Sequence, residues 1–442
     1  MQSGRRSIWG GVTPRHPIPI KSGFASLRMT FHTRSKSEIH RESFPDLPKV
    51  NMDILPSDEE QMVKNAAREF LEAECPPSLA RAMEKDERGY PPELWNKLAD
   101  LGWQGMSIPE EYGGQGLPLS YLGIILEELG RAIAPVPFHS TVVPTLTIAS
   151  DGTEGQRQEV LPRVNRGDLI MTWAFQEKDP RFLSEAVKAQ AVGEGDHFVI
   201  TGTKTFVDNF DVAEKFLVAC RTAPASSDNA GISMFLVDTR SPGISHTPLT
   251  TLAKDKQSKV EFNQVRVPRT NLVGDLHQGW PVAQAMLDRA TALLCAQMVG
   301  AARKDAEMAI EYSKNRVAFG RPIGAFQSVQ HICADMIIWV DGAQLLTYEA
   351  LWKMDQGLPA SVEVSQAKAF CNDKCQATVR YSQVLHGGMG FMMEFDLHLW
   401  YRRVCAWTMR LGTSFEHRAR IARALLDQPG RVRLGMDLTP VP

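Results

Sequence analysis

The hydrophobic period of this chain changes twice, and these changes constrain the fold more than any other feature. Apolar residues first follow a helical spacing, for instance over Pro91–Leu101 and Ser120–Arg131. Short β-branched and aromatic runs, separated by Gly, Asp, Asn and Pro, take over from Leu169. The helical spacing returns at Trp280 and holds to about Leu426. This order predicts an α+β fold: a helical domain, an antiparallel β-sheet or barrel, and a helical bundle.

The predicted domain boundaries follow these changes of period. We expect an N-terminal helical domain over residues 52–168, a middle β-domain over 169–275, a C-terminal helical bundle over 276–430 and a frayed tail over 431–442. Ser57 and Glu60 form the sequence pattern of a capping box, which predicts a helix start there.

Residues 1–51 have a different composition from the rest of the chain. They are rich in Lys and Arg, and the first acidic residue is Glu38. Such a segment is typical of a mitochondrial transit peptide. Because Pro14, Pro17 and Pro19 would interrupt a helical leader, we favour a disordered tail or sequence upstream of the true start.

Composition excludes several classes of protein. Lys and Arg number 49 and Asp and Glu 51, so the net charge of -2 predicts no nucleic-acid partner. No apolar run reaches the ~18 residues of a membrane span. The 7 cysteines are scattered without a CxxC pair, so we expect packing residues in a reducing compartment and no metal site, although Cys371 and Cys375 are four residues apart. The predicted location is the cytoplasm, or the mitochondrial matrix if the leader is genuine.

Four short motifs carry a family resemblance. They are RVAFGRPIGAFQ at residues 316–327, QVLHGGMGF at 383–391, VRVPRTNLVG at 265–274 and GTKTFV at 202–207. In this order and context they resemble the acyl-CoA dehydrogenases over about residues 52–426. The resemblance implies an FAD-dependent oxidoreductase that introduces a double bond next to the thioester of an acyl-CoA. It also implies an assembly of four subunits and an electron-transfer flavoprotein or similar acceptor.

The resemblance assigns one set of residues to the flavin of a neighbouring subunit. Arg316 resembles the arginine that reaches the flavin pyrophosphate, for which a guanidinium offers forked donors. Gln327 resembles the amide that follows it, with Phe319 packed between them. Gln383, Gly387 and Gly388 resemble a loop whose missing Cβ atoms let the backbone approach the cofactor. The alternatives are surface residues for Arg316 and Gln327 and an ordinary helix stop for the two glycines.

Residues that the family gives to its own flavin are altered. Gln176 replaces the threonine of a T-E-P flavin loop, whereas Phe206 and Thr413 keep residue types of the G-x-K-x-[WF] and Y-E-G-T motifs. The reaction requires a base, usually a glutamate. Leu411 occupies that position, and Ala290 occupies a second family position for it.

Two aspartates could replace the missing base, and no catalytic residue is assigned. Asp288 lies two residues from Ala290, and Asp208 stands where a threonine often contacts the flavin edge. A solvated turn aspartate is the favoured interpretation of Asp208.

Three hypotheses follow from the resemblance. In the first, the chain completes the flavin site of a homologous partner in a heterotetramer of the kind that acts on steroid or other bulky acyl-CoA thioesters. In the second, it is a self-sufficient homotetrameric dehydrogenase with a relocated base. In the third, it is a scaffold that binds no flavin.

Overall fold

The computed structural model describes residues 55–224 and 230–427. The predictions for residues 1–51 and 431–442 lie outside the described residues. Within the described part, helices come first, strands follow and helices return, so the predicted α+β architecture is confirmed. None of these helices is long and apolar enough to cross a membrane.

Helices form the first part of the described chain. Their bounds are α1 (Asp58–Glu74), α2 (Pro77–Met83), α3 (Pro92–Asp100), α4 (Leu119–Arg131), α5 (Phe138–Asp151) and α6 (Glu154–Asn165). The predicted capping box begins α1: the Glu60 N–H donates to Ser57 Oγ at 3.2 Å, and the Ser57 N–H donates to Glu60 Oε2 at 2.8 Å. The apolar face of α4 packs on α1 and on the longest helix of the chain.

An eight-stranded sheet follows. Its strands are β1 (Met171–Ala174), β2 (Gln190–Glu194), β3 (His197–Asp208), β4 (Lys215–Arg221), β5 (Ile232–Asp238), β6 (Ile244–Pro248), β7 (Gln257–Pro268) and β8 (Leu272–Val273). The order is β6-β7-β3-β2-β4-β5-β8, and β1 pairs with β4. The prediction of an antiparallel sheet holds for most pairs but is wrong for β1–β4 and β2–β4, which are parallel. Parallel pairing needs a long connection. Here β2 and β3 lie between β1 and β4 in the chain, and β3 lies between β2 and β4.

Two long strands replace two predicted pairs of short ones. Four of the β-type runs in the sequence predict separate strands: His197–Thr201, Thr205–Val207, Lys259–Phe262 and Val265–Val267. The first two are both part of β3, and the last two are both part of β7. The pairing of β3 with β7 shifts register twice. β-Bulges therefore absorb the residues that the sequence suggests as turns. At one bulge Gly202 is required, because a Cβ there would lie 2.6 Å from the Cβ of Ala189.

Helices form the last part as well. They are α7 (Gly279–Asn315), α8 (Gln327–Asp355), α9 (Ser361–His386), α10 (Leu397–Trp407) and α11 (Ser414–Asp427), and a hairpin of β9 (Val317–Ala318) and β10 (Arg321–Pro322) joins α7 to α8. The sequence predicts helices over the Pro-free stretches Phe326–Met354 and Ala360–Gly387, and the bounds of α8 and α9 agree with them within one residue. Cys371 and Cys375 are fully buried on α9.

One apolar core joins the outer parts of the chain. It includes Leu126 of α4, Trp173 of β1, Leu293 of α7 and Trp400 of α10. A second core lies inside the sheet around Phe216 and Phe235. Because the N-terminal helices, β1 and the C-terminal helices share the first core, the ends of the strands are held against both sets of helices.

Candidate functional site

The hairpin after α7 presents a free guanidinium. Arg316 follows the last residue of α7, and its main chain is fixed by bonds to Tyr312 and Ile323. The side chain is exposed, and within residues 55–224 and 230–427 it makes no hydrogen bond or ion pair. A fixed backbone with an unpaired cation can bind an anion that comes from outside the chain.

The tip of the same hairpin is strained and apolar. Phe319 and Gly320 are the two turn residues, and both have positive φ angles, +53° and +80°. Two-residue hairpin loops require this geometry and favour Asn or Gly in the first place. Phe319 is nevertheless 93% exposed and contacts only the edge of Phe326 among aromatic rings in the described chain. A phenylalanine in this conformation costs about 1–2 kcal/mol, which points to a contact outside the chain.

The other residues that the sequence assigns to a neighbour's flavin lie at helix ends. Gln327 begins α8 and is exposed. Gln383 lies in the last turn of α9, is 8% exposed, and its buried Nε2 has no hydrogen-bond partner in the described chain. Gly387 has φ +55° and ψ -131°, a conformation that favours glycine. A Cβ on Gly387 or Gly388 would meet no atom within 4 Å, so this backbone is open to approach.

The predicted contacts to the chain's own flavin are partly occupied. Gln176 Nε2 donates to the Pro180 carbonyl at 3.4 Å. Phe206 lies at a bulge of β3 with φ +55° and is 44% exposed. Thr413 caps α11, and its N–H and Oγ1 both donate to Glu416 Oε2, at 2.8 and 3.0 Å. The Thr413 hydroxyl is therefore engaged within the chain.

These residues can be tested for their fit to FAD. The free guanidinium of Arg316, the exposed amide of Gln327 and the open backbone at Gly388 fit a pyrophosphate dinucleotide from a neighbour. In contrast, the end of β3 carries a carboxylate where flavin would need a neutral edge. We call the residues assigned to a neighbour's flavin the outward set: Arg316, Phe319, Gln327, Gln383, Gly387 and Gly388. The residues assigned to the chain's own flavin are the inward set: Gln176, Phe206 and Thr413. The outward set fits the cofactor, and the inward set fits it only in part.

A cavity of about 90 Å³ lies between the N-terminal helices, the end of β3 and α10. Leu411, at the family position of the base, is among the residues that line it and is 3% exposed. Asp208 and Arg410 line it too, whereas Gln176, Phe206 and Thr413 do not. The sequence motifs therefore did not predict which residues together line this cavity.

Asp208 is not the solvated turn aspartate that the sequence favours. Its carboxylate accepts from Arg410 Nη1 at 2.6 Å and from Arg410 Nη2 at 2.5 Å, and its side chain is 18% exposed. The two residues are 202 positions apart in the sequence, so local sequence could not reveal the pair. Both carboxylate oxygens of Asp208 are therefore engaged by Arg410 within the chain.

Asp288 is also engaged away from the cavity. It is 7% exposed, and its carboxyl accepts from Ser361 Oγ at 2.5 Å and from Gln284 Nε2 at 2.9 Å. Burial raises the pKa of Asp288 above its ordinary value. Its absence from the residues that line the cavity places it on a different face of α7 from a base beside Leu411.

His139 is a cavity residue that the sequence analysis missed. Its Nε2 lies 2.9 Å from the carbonyl of Ala290, the second family position of the base. Burial lowers the pKa of His139. The bond to a carbonyl and the lowered pKa together favour a neutral ring whose Nε2–H is the donor. No local motif marks this histidine, because its relation to Ala290 exists only in the fold.

A buried carboxyl group lies near Gln383, on the neighbouring helix α7. Asp305 of α7 is fully buried, and neither carboxyl oxygen has a hydrogen-bond partner in the described residues. Burial raises its pKa well above the ordinary value. Ser382, the neighbour of Gln383, donates to the Asp305 main-chain oxygen at 3.3 Å.

We expect Asp305→Asn to change the pH dependence of stability. Because the pKa of the folded state is raised, wild-type stability is fully present below the unfolded pKa and falls as pH rises toward the folded pKa, by about 1.4 kcal/mol per pH unit. Asn removes this slope, so the variant should gain relative stability as pH rises above the ordinary aspartate pKa of about 4. Urea denaturation at several pH values measures this, with the exposed Asp335→Asn as control. A difference that does not vary with pH would contradict the prediction.

Comparison with known proteins places the chain in a family. It matches the acyl-CoA dehydrogenase N-terminal domain over residues 57–168, the middle domain over 178–265 and the C-terminal domain over 277–426. It is 31% identical over 378 residues to the mitochondrial short-chain specific acyl-CoA dehydrogenase of Rattus norvegicus, covering 83% of this chain and 90% of that protein. It is 30% identical over 383 residues to the 3-(aryl)acrylate reductase of Clostridium sporogenes, covering 84% and 99%.

A solved structure agrees with these matches. The ChsE4-ChsE5 complex from Mycobacterium tuberculosis superposes with a TM-score of 0.79 at 28% identity, over 86% of this chain and 100% of that chain. The three domain matches, in the order in which the helices and strands occur, cover most of the described residues. The chain therefore belongs to the acyl-CoA dehydrogenase family, the FAD-binding oxidoreductases that act on the CH–CH bond of acyl-CoA thioesters.

Proposed function

We propose that this chain is the subunit of a heterotetrameric acyl-CoA dehydrogenase that completes the flavin site of a homologous partner. One observation carries the proposal: the acids available for a relocated base are engaged, while the outward set is free. Asp208 is paired with Arg410, and Asp288 is bound by Ser361. Arg316, in contrast, has no partner within the described chain.

The strain at the hairpin tip supports this division of roles. An exposed phenylalanine with positive φ lowers the stability of the isolated chain. Burial of about 150–250 Å² of aromatic surface against another subunit would offset that cost. A neighbouring subunit would thus bury the Phe319 ring, which its own chain leaves exposed.

The surface beside Gly387 and Gly388 supports a further subunit contact. It exposes Phe391 (80%), Met393 (51%) and Val384 (65%), which lie in or next to the same loop. Apolar residues clustered at one loop are typical of interfaces between protein chains. The glycines would then lie where the backbone of this chain meets the partner and its cofactor.

In the proposed complex this chain binds and positions rather than abstracts a proton. FAD bound by the partner would supply the hydride acceptor for the substrate. Arg316 and Gln327 hold the pyrophosphate, and the loop at Gly388 contacts the dinucleotide through its backbone. The partner supplies the base for the carbon next to the thioester. The substrate is an acyl-CoA, and an electron-transfer flavoprotein or similar protein accepts the electrons.

The similarity to a complex of two differently named chains, ChsE4 and ChsE5, favours this proposal over a homotetramer. A self-sufficient homotetramer is the alternative, and it needs Asp208 or Asp288 as base. If flavin reduction by an acyl-CoA stops in Asp208→Asn or Asp288→Asn, the alternative gains support. If it is unchanged in both, these aspartates are not the base.

Co-expression with a homologous gene from the same genome tests the proposal. We expect the purified complex to hold one FAD for every two chains and to oxidise an acyl-CoA, and this chain alone to hold little flavin. A lone chain with one FAD per chain and full activity would refute the proposal. A complex without flavin would instead favour the scaffold hypothesis.

A further inference from the structure

The cavity beside Leu411 is rich in charged side chains. Seven of its lining residues have acidic or basic side chains: Glu84, Asp208, Lys254, Asp255, Lys256, Arg403 and Arg410. Four of these are cations and three are carboxylates, so the lining has a net charge of 4 - 3 = +1. An uncharged hydrocarbon chain gains nothing from such walls, since burying charges beside it costs free energy.

The carboxylates of the cavity already have partners. Asp208 is held by Arg410. Glu84 accepts from Arg402 Nη2 at 2.6 Å and lies 3.8 Å from the ammonium of Lys254.

The third carboxylate is satisfied by neutral groups. Asp255 accepts from Thr251 Oγ1 at 2.5 Å and from Gln257 Nε2 at 3.0 Å. Asp255 and Glu84 act on Arg403 at longer range, and each raises its pKa. In the described residues neither carboxylate lies within 4.0 Å of Arg403 or Lys256.

Arg403 and Lys256 are the cations left over. In the part of the chain that the structure describes, neither side chain makes a hydrogen bond or an ion pair within 4.0 Å. The guanidinium of Arg403 is only partly exposed, and burial lowers its pKa. A partly buried cation without a close partner gains free energy when an anion from outside the chain pairs with it.

We propose that this cavity binds a small organic anion through a carboxylate that pairs with Arg403, with Lys256 as the second cation. The guanidinium fork matches the two oxygens of a carboxylate. The net charge of +1 suits a monoanionic group better than a phosphate, which carries close to two charges at neutral pH.

The rest of the lining and the size of the cavity limit the ligand further. Met83, Leu129, Leu294 and Trp407 supply apolar walls. A volume of about 90 Å³ leaves room for a few heavy atoms only. The ligand class is therefore a carboxylate on a short carbon chain, either free or as the far end of a dicarboxylic acyl thioester. This inference goes beyond the proposed function, since it needs neither flavin nor partner.

Calorimetry on the purified full-length chain tests the inference, with four probes. Butyrate and the mono-CoA thioester of adipic acid carry the carboxylate, whereas butyryl-CoA and inorganic phosphate do not. We expect at least one carboxylate probe to bind. Binding should also quench the tryptophan fluorescence of the protein, and the Trp407→Phe variant should lose this quenching. Binding of butyrate alone identifies a free acid as the ligand, and binding of the thioester alone identifies the far end of a substrate.

Variants separate the role of Arg403 from general charge. Arg403→Met should weaken carboxylate binding roughly tenfold to a hundredfold, the effect of one charged hydrogen-bonded contact. Arg423→Met on the exposed face of α11 is the matched control and should not change it. Lys256→Met provides the same test if Arg403→Met does not fold. No binding of either carboxylate, equal binding of phosphate or butyryl-CoA, or unchanged affinity in the cavity variants would overturn the proposal.

Discussion

Lys204→Met is expected to lower the free energy of unfolding by about 3–5 kcal/mol, because it leaves a buried carboxylate without its cation. Lys204 of β3 is fully buried, and its Nζ donates to Glu177 Oε1 at 2.7 Å and to the Phe175 carbonyl at 3.1 Å. The Glu177 carboxylate also accepts from the main-chain N–H groups of Lys188 and Ala189 at 3.0 Å. This pair joins the loop after β1 to β3. Urea denaturation of the chain measures the change.

The double variant Glu177→Gln/Lys204→Met separates the ion pair from the packing of the lysine chain. A neutral amide removes the unpaired charge, so the double variant should be more stable than Lys204→Met alone. The exposed pair of Arg166 and Asp168 provides the control, and Asp168→Asn should change stability by less than about 1 kcal/mol. Equal losses in the single and double variants would show that lost packing, rather than the unpaired carboxylate, sets the stability cost.

The lysine illustrates which part of the fold the sequence could predict. The G-x-K pattern at Gly202 and Lys204 is local, but the role of Lys204 in a buried ion pair depends on Glu177, 27 residues earlier. Helices were predictable because their periodicity and caps are local, as at Ser57. The bulges of β3 and β7 were not, because polar and glycine residues inside a strand look like turns until the partner strand is known.

The candidate site divides in the same way. The outward set lies in continuous motifs, so Arg316, Phe319 and Gln327 could be named from the sequence. The cavity is assembled from segments far apart, and Asp208 meets Arg410 only through the fold. A solvated aspartate and a bidentate partner of arginine have the same local sequence, which explains why the favoured interpretation of Asp208 was wrong.

The double variant Arg316→Gln/Gln327→Ala should weaken FAD binding by the complex with the partner roughly 10²- to 10⁴-fold. Each residue is expected to donate to the charged pyrophosphate, and one hydrogen bond to a charged group is worth about 1.5–3 kcal/mol. Neither side chain contributes to the stability of its own subunit through a hydrogen bond or ion pair in the described residues. Folding should therefore be preserved. Titration of the flavin-free complex with FAD, followed by flavin fluorescence, measures the dissociation constant without any need for activity.

Two controls decide whether the loss belongs to the pyrophosphate contact. Arg321→Gln removes a nearby exposed guanidinium that stacks on Phe326 at 4.2 Å, and it should leave the dissociation constant for FAD within about twofold. Arg316→Lys keeps the charge but not the fork, so its affinity should fall between wild type and Arg316→Gln. The decisive comparison places the substitutions in only one of the two subunits. If the same changes made in the partner, and not in this chain, cause the loss of FAD, this chain does not hold the partner's flavin.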